Sequence, residues 1–193
     1  MAFCVGSEGP LLAPDAIMVV DRELCAAVRQ VPFAPPVHDA EEMARYERVV
    51  EVLFQHGAVL PAPFGTVFRS PEQVRRWLGM NTIALSEGLH YVEGRCETRV
   101  HMVRNPAVRP VEGPGEMAGV AAECFRALRR DAVAARTLRQ DNEILSAAFL
   151  ISDEEWEDFA EQVQEQAARH AELTFRQTGP WPPYDFVHIE FGG

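Results

Sequence analysis

A histidine and a carboxylate two residues apart on a strand point to one face, so His188 and Glu190 form a candidate metal pair, with His101 on a second predicted strand as a further donor. Such pairs also sit solvated on sheet surfaces, and no metal site is expected from them. A nucleophilic hydrolase needs an activated serine or cysteine, yet the chain has no Gly-x-Ser-x-Gly elbow. Both common phosphate-cradling patterns, Gly-x-x-x-x-Gly-Lys and Gly-x-Gly-x-x-Gly, are missing. Cys4, Cys25, Cys96 and Cys124 lack the paired spacing of a zinc or redox motif, and three of them sit in apolar stretches as small hydrophobes. No catalytic residue and no cofactor is expected, and the thiols are expected to be reduced, as in the cytoplasm.

The net charge is −11 and every basic residue is arginine. An acidic chain does not offer a general phosphate-neutralising surface, so nucleic acid is not an expected partner. Asp153, Glu154, Glu155, Glu157, Asp158 and Glu161 crowd one helix start, where each acid favours the positive end of the helix dipole by roughly 0.3 to 1 kcal/mol. No secretion signal is expected, because Ser7, Glu8 and Gly9 break the apolar start. No apolar run approaches the roughly 20 residues that cross a bilayer.

Two proline-aromatic segments remain. Leu60-Pro61-Ala62-Pro63-Phe64-Gly65-Thr66-Val67-Phe68 and Thr178-Gly179-Pro180-Trp181-Pro182-Pro183-Tyr184-Asp185-Phe186 place large aromatics on turn-forming residues that restrict the unfolded chain. A structural corner burying Trp181 against the preceding helix explains the second segment. A binding surface explains it too, since preorganised aromatics lose little entropy on docking.

The elements that must position these segments follow from caps and periodicity. Ala2–Val5 reads as a strand, and Ile17–Val31 as a hairpin weakened towards helix by Ala26-Ala27. Asp39 with Glu42 forms a capping box for a helix whose Met43, Tyr46, Val49, Val50, Leu53 and Phe54 share a face, ending at Gly57. Ala58–Phe68 reads as an irregular or edge strand broken by its prolines. Ser70-Pro71-Glu72-Gln73 starts a helix through Val74, Trp77 and Leu78, and Ile83–Tyr91 predicts another. Thr98–Val103 predicts a strand. Together these elements suit a ferredoxin-like N-terminal domain over 1–105, an antiparallel sheet with helices on one face. The glycine- and proline-rich stretch 106–115 reads as a linker, and 116–193 as a C-terminal α+β domain. In that second domain Glu116–Arg130 predicts a helix and Glu143–Ile151 a strand. Ser152 with Glu155 caps a helix facing inward through Trp156, Phe159, Ala160 and Val163, and Leu173–Phe175 and Phe186–Phe191 predict strands.

At the two proline-aromatic segments the sequence resembles the gas vesicle F/L family, whose members carry Leu-Pro-x-Arg-Phe-Gly-Thr-x-Phe and a near-terminal Thr-Gly-Pro-Trp-Pro-Pro-Tyr-x-Phe. The second matches throughout Thr178–Phe186, and Glu47–Val50, Ala58–Pro61 and Leu145–Leu150 follow the family pattern in the same order. Two departures stand out: Pro63 where the family usually has arginine, and Tyr46 where its helix often has histidine. The resemblance implies two α+β domains, no cofactor, and a non-enzymatic, cytoplasmic, vesicle-associated role in assembling the gas vesicle from its small hydrophobic shell protein, alongside other accessory proteins. Phe64, Gly65, Thr66, Phe68, Trp181, Pro182 and Tyr184 are the candidate partner contacts. The competing readings are a small-ligand binder or enzyme on a ferredoxin-like fold, and a family member co-opted for another assembly.

Overall fold

The computed structural model describes residues 5–6, 16–31, 39–108, 114–139 and 143–187. The chain divides into two compact units, one formed by Met1–Gly94 with Pro182–Gly193 and the other by Arg95–Trp181. Both mix helices with antiparallel strands, so the expected α+β class in two small units holds.

The first unit contains a three-stranded sheet in the order β1 (Val5–Gly6), β3 (Leu24–Val28), β2 (Ile17–Asp21). The predicted hairpin forms: Asp21 pairs with Leu24, and Arg22 at φ 55° turns the chain between them. Ala26 and Ala27 do not become helical, because β3 is the central strand and all five of its residues are buried. An apolar run without alternation is what a strand covered on both faces requires.

Helix α1 (Ala40–Phe54) starts where the cap predicts, with the Asp39 carboxylate accepting from the Glu42 amide at 2.7 Å. The reciprocal half of the capping box is absent. The Glu42 carboxylate pairs with Arg29 and Arg45 instead. Helix α2 (Pro71–Met80) is capped by Ser70, which accepts from the Gln73 amide at 3.3 Å, and buries Val74, Trp77 and Leu78 as its spacing predicts. Helix α3 (Thr82–Val92) follows after Asn81. Their apolar faces meet Val19, Leu24, Ala26, Val28, Leu60 and Ala62 in one core. Packing there is close: a Cβ added at Gly88 would lie 3.1 Å from Leu60 Cδ1. The stretch 58–68 is not a strand. Val59 to Ala62 are buried without sheet pairing, consistent with two prolines that have no amide to donate.

The second unit runs β4 (Arg95–Arg104), α4 (Pro114–Leu128), β5 (Ala134–Leu138), β6 (Leu145–Ser152), α5 (Trp156–Arg169) and β7 (Leu173–Trp181), with sheet order β5-β6-β4-β7. That order, antiparallel throughout, is the split βαβ of a ferredoxin-like sandwich. Phe149 on β6 joins the sheet to both helices, its ring 5.7 Å from Phe125 and 5.2 Å from Phe159.

The ferredoxin-like arrangement therefore lies in the second unit, whereas the sequence pointed to 1–105. The difference turns on Thr98–Val103. This segment lies within β4, which is flanked by β6 from Arg95↔Ser152 to Met102↔Leu145 and by β7 from Glu97↔Trp181 to Arg104↔Leu173. With both edges taken, β4 cannot complete the first sheet. The linker drawn over 106–115 likewise joins β4 to α4 within one unit, and part of it, 109–113, lies outside the described residues. The predicted Ser152 cap is also displaced: Asp153–Glu155 forms a 3₁₀ turn, Ser152 makes no side-chain cap bond, and α5 begins at Trp156. Phe186 and Val187 are not in a strand, and the rest of the Phe186–Phe191 prediction, with His188 and Glu190, falls outside the described residues, as does Ala2–Cys4.

Candidate functional site

Tyr46 lies on the inner face of α1, and the ring stacks where two distant segments of chain arrive. Phe64 meets it edge-on with centroids 5.6 Å apart, and Tyr184 lies 6.4 Å away in a tilted arrangement. The Tyr46 hydroxyl donates to the Ala62 carbonyl at 2.6 Å in a buried bond. Val50 and Val59 close the cluster from below, with Met43, Leu53 and Phe54 half-buried around it. The two proline-aromatic segments thus converge on one tyrosine of the first unit.

The loop within the first segment has a definite geometry. The Thr66 amide and hydroxyl both donate to the Pro63 carbonyl, at 3.1 and 2.7 Å, closing a four-residue turn over Pro63–Thr66. Gly65 occupies its third position at φ 86°, which side chains adopt only with strain. Phe68, beyond the turn, stacks edge-on against Trp77 at 5.9 Å in the main core. Phe64 and Phe68 therefore anchor the loop on two clusters, and Pro63 and Val67 are left exposed.

The second segment splits. Trp181 ends β7 in the second unit and is half-buried, its indole nitrogen donating to the Thr178 hydroxyl at 3.3 Å. Gly179 sits at φ 130° where β7 shifts register against β4, and a Cβ there would lie 2.8 Å from the Glu97 carbonyl oxygen. Pro182 and Pro183 are buried and lead to Tyr184, whose amide donates to the Pro182 carbonyl at 2.7 Å. Of the seven expected contacts, Phe64 and Tyr184 share the Tyr46 cluster, and Phe68 stacks in the core. Gly65 and Thr66 form the turn, Pro182 supports Tyr184, and Trp181 belongs to the other unit. Tyr46 stood out in the sequence only as a departure from the family pattern, not among the candidate contacts. Its place on the apolar face of α1 was visible, but nothing local marks which segments that face receives.

His101 sits in a polar row of the second sheet. It pairs in register with Ser146 on β6 and Arg176 on β7, and Glu143 reaches in just before β6. The His101 Nδ1 lies 2.7 Å from the Ser146 hydroxyl and 2.9 Å from Glu143 Oε2, and the same hydroxyl donates to Glu143. Arg176 completes the row 3.6 Å from Glu143 Oε1. Burial pushes the Glu143 pKa up, but hydrogen bonds from Ser146 and His101 and the charges of His101 and Arg176 outweigh it, leaving the carboxyl below its ordinary value. A serine nucleophile relay needs the hydroxyl on one ring nitrogen and the carboxylate on the other. Here both address Nδ1, with His101 and Ser146 buried, so the arrangement holds strands together. Among the described residues no group of three or more His, Cys, Asp or Glu is placed to hold a metal ion. Among those residues, too, no helix is long and apolar enough to cross a membrane.

The fold is that of solved gas vesicle proteins. The crystal structure of gas vesicle protein GvpF from Anabaena sp. PCC7120 superposes with a TM-score of 0.83 at 17% identity, covering 100% of this chain and 97% of that one. GvpF from Microcystis aeruginosa gives 0.74 at 15% identity, with 97% and 98% covered. In sequence the chain is similar to gas vesicle protein F1 of Halobacterium salinarum, 27% identical over 195 residues spanning 96% of this chain and 87% of that one. The model of the gas vesicle synthesis protein GvpL/GvpF family matches residues 14–112 and 115–188, and the chain belongs to that family. Its role lies in gas vesicle assembly.

Proposed function

We propose that this protein is a non-enzymatic accessory factor, cytoplasmic and vesicle-associated, that holds the small hydrophobic shell protein before or during assembly. Unassembled amphipathic subunits expose apolar surface and aggregate, so a partner that covers that surface has a physical task. The observation carrying the reading is the Pro63–Thr66 turn, closed by its own hydrogen bonds and anchored from within by Phe64 and Phe68, with Pro63 and Val67 outward. Such a loop loses little freedom on docking. Phe64, Gly65, Thr66, Phe68, Pro182 and Tyr184 shape this surface of the first unit, Pro63 and Val67 supply the outward apolar contact, and Trp181, in the second unit, is a separate proposed contact.

The test is co-expression with the shell protein followed by affinity capture of this chain. Val67→Asp is expected to keep the fold, shown by an unchanged circular dichroism spectrum, and to lower shell protein recovery at least about tenfold, the loss of roughly 1.4 kcal/mol of binding. Phe64→Ala and Trp181→Ala, screened for folding in the same way, separate internal supports from contacts. Undiminished capture by folded Val67→Asp would remove the loop from the interface, and no capture by wild type would remove the shell protein as partner.

A further inference from the structure

We propose that the outer face of α2 and α3 is a self-pairing surface, on which a second copy of this chain docks antiparallel about a two-fold axis. The two helices share one register across Asn81, whose amide donates to the Trp77 carbonyl at 3.1 Å and whose carbonyl accepts from the Leu85 amide at 2.9 Å. Val74, Leu78, Leu85 and Val92 therefore line one face, buried in the core of the first unit. Arg76, Met80, Ile83 and Glu87 line the opposite face at intervals of four, three and four residues, the spacing of a helix-pairing seam. Met80 and Ile83 are each 76% exposed, more than any other large apolar side chain among the described residues. Side by side on one seam, they make a patch, where an ordinary surface scatters its apolar side chains singly.

The charges on either side select the occupant. Arg76 stands four residues before Met80 and Glu87 four residues after Ile83; both are exposed, and neither forms an ion pair among the described residues. A two-fold axis passing between Met80 and Ile83 sets each Met80 against the other copy's Ile83, and each Arg76 against the other copy's Glu87. The face is thus complementary to itself, apolar at its centre and oppositely charged at its two ends. A parallel copy would set arginine against arginine and glutamate against glutamate, and a helix carrying charges of one sign would meet one end while opposing the other. Gly79 and Ala84, exposed beside Met80 and Ile83, present no bulk to an approaching helix, and the Asp21 carboxylate borders the seam only at Gly79.

The full chain is followed by sedimentation equilibrium from about 5 to about 500 µM, since a seam this short belongs with interfaces under about 1,200 Å², which associate weakly. The average mass is expected to rise from one chain towards two. Ile83→Asp, with its circular dichroism unchanged, should weaken association at least about tenfold. Arg76→Glu and Glu87→Arg should each weaken it at least about threefold, because two exposed attractions become two repulsions. Mixing those two variants should restore it, since one chain is then negative at both ends of the seam and the other positive. A single-chain mass throughout, a dimer indifferent to folded Ile83→Asp, or a mixture no tighter than its separate components would overturn the proposal. A chain that stays single but loses capture of the shell protein through Ile83→Asp would give the face to that partner and overturn self-pairing as well.

Discussion

Replacing Tyr46 with phenylalanine separates the two ways in which that residue joins the proline-aromatic segments. The substitution keeps the ring, and with it the contacts to Phe64 and Tyr184, while removing the donor from a 2.6 Å buried bond to the Ala62 carbonyl. Ala62 is 1% exposed, so water does not readily replace the lost donor. Leaving a buried acceptor without its partner costs about 1–3 kcal/mol. Tyr46→Ala removes the ring as well and should cost about 3–5 kcal/mol, as aromatic truncations in cores do. The assay is urea unfolding followed by tryptophan fluorescence in a Trp156→Phe/Trp181→Phe background, where Trp77 reports on the first unit alone. Hydrogen exchange at the Thr66 amide, which closes the turn, should accelerate in Tyr46→Phe. If that variant unfolds within about 0.5 kcal/mol of its background while Tyr46→Ala falls by the full amount, the hydroxyl is no tie and the cluster is held by packing only.

Acid should act on the second unit through Glu143. Its folded pKa lies below the unfolded value, so its contribution is complete above the ordinary glutamate pKa of about 4.3 and is lost as pH falls through the lower folded value. The stability gap between wild type and Glu143→Gln, measured by urea midpoints, is expected to be widest near neutrality and to narrow below about pH 4.3; a pH-independent gap contradicts this. Gly179→Ala places a Cβ 2.8 Å from the Glu97 carbonyl oxygen at φ 130° and should destabilise by at least about 1–3 kcal/mol. A thermal melt would register that as a fall of about 2–4 °C per kcal/mol, and an unchanged midpoint would show that β7 relaxes at no cost.

Local chemistry was legible where it acts within a few residues. The Asp39 and Ser70 caps, the hairpin at Arg22 and the buried spacing of Val74, Trp77 and Leu78 follow from side chains and their near neighbours. Strand partnership was not legible. Thr98–Val103 reads as a strand in isolation, but membership of the second sheet is decided by Leu145–Ser152 and Leu173–Trp181, distant in sequence. That one assignment moves the ferredoxin-like order from the first unit to the second. The same limit hid the hub of the site, because the apolar face of α1 shows that Tyr46 is inward without showing that Phe64 and Tyr184 arrive there. Even the capping box was half legible: the Glu42 backbone amide obeyed it, while its carboxylate answered to Arg29, a partner outside the helix.

The two positions at which the chain departs from its family's usual pattern now have different physical meanings. Tyr46, in place of a frequent histidine, is 8% exposed and its hydroxyl bonds to a backbone carbonyl, so that departure concerns how the first unit packs. Pro63, in place of the usual arginine, is exposed at the first position of a turn whose backbone carbonyl, not its side chain, does the internal bonding. A change there leaves the turn's own hydrogen bonds intact and alters only the face shown outward: a charged fork is replaced by a rigid apolar ring. If the proposed interface is correct, Pro63→Arg should leave the urea midpoint of the first unit unchanged within about 0.5 kcal/mol while changing which shell subunit is captured. A variant that shifts stability but not capture would place Pro63 among the internal supports.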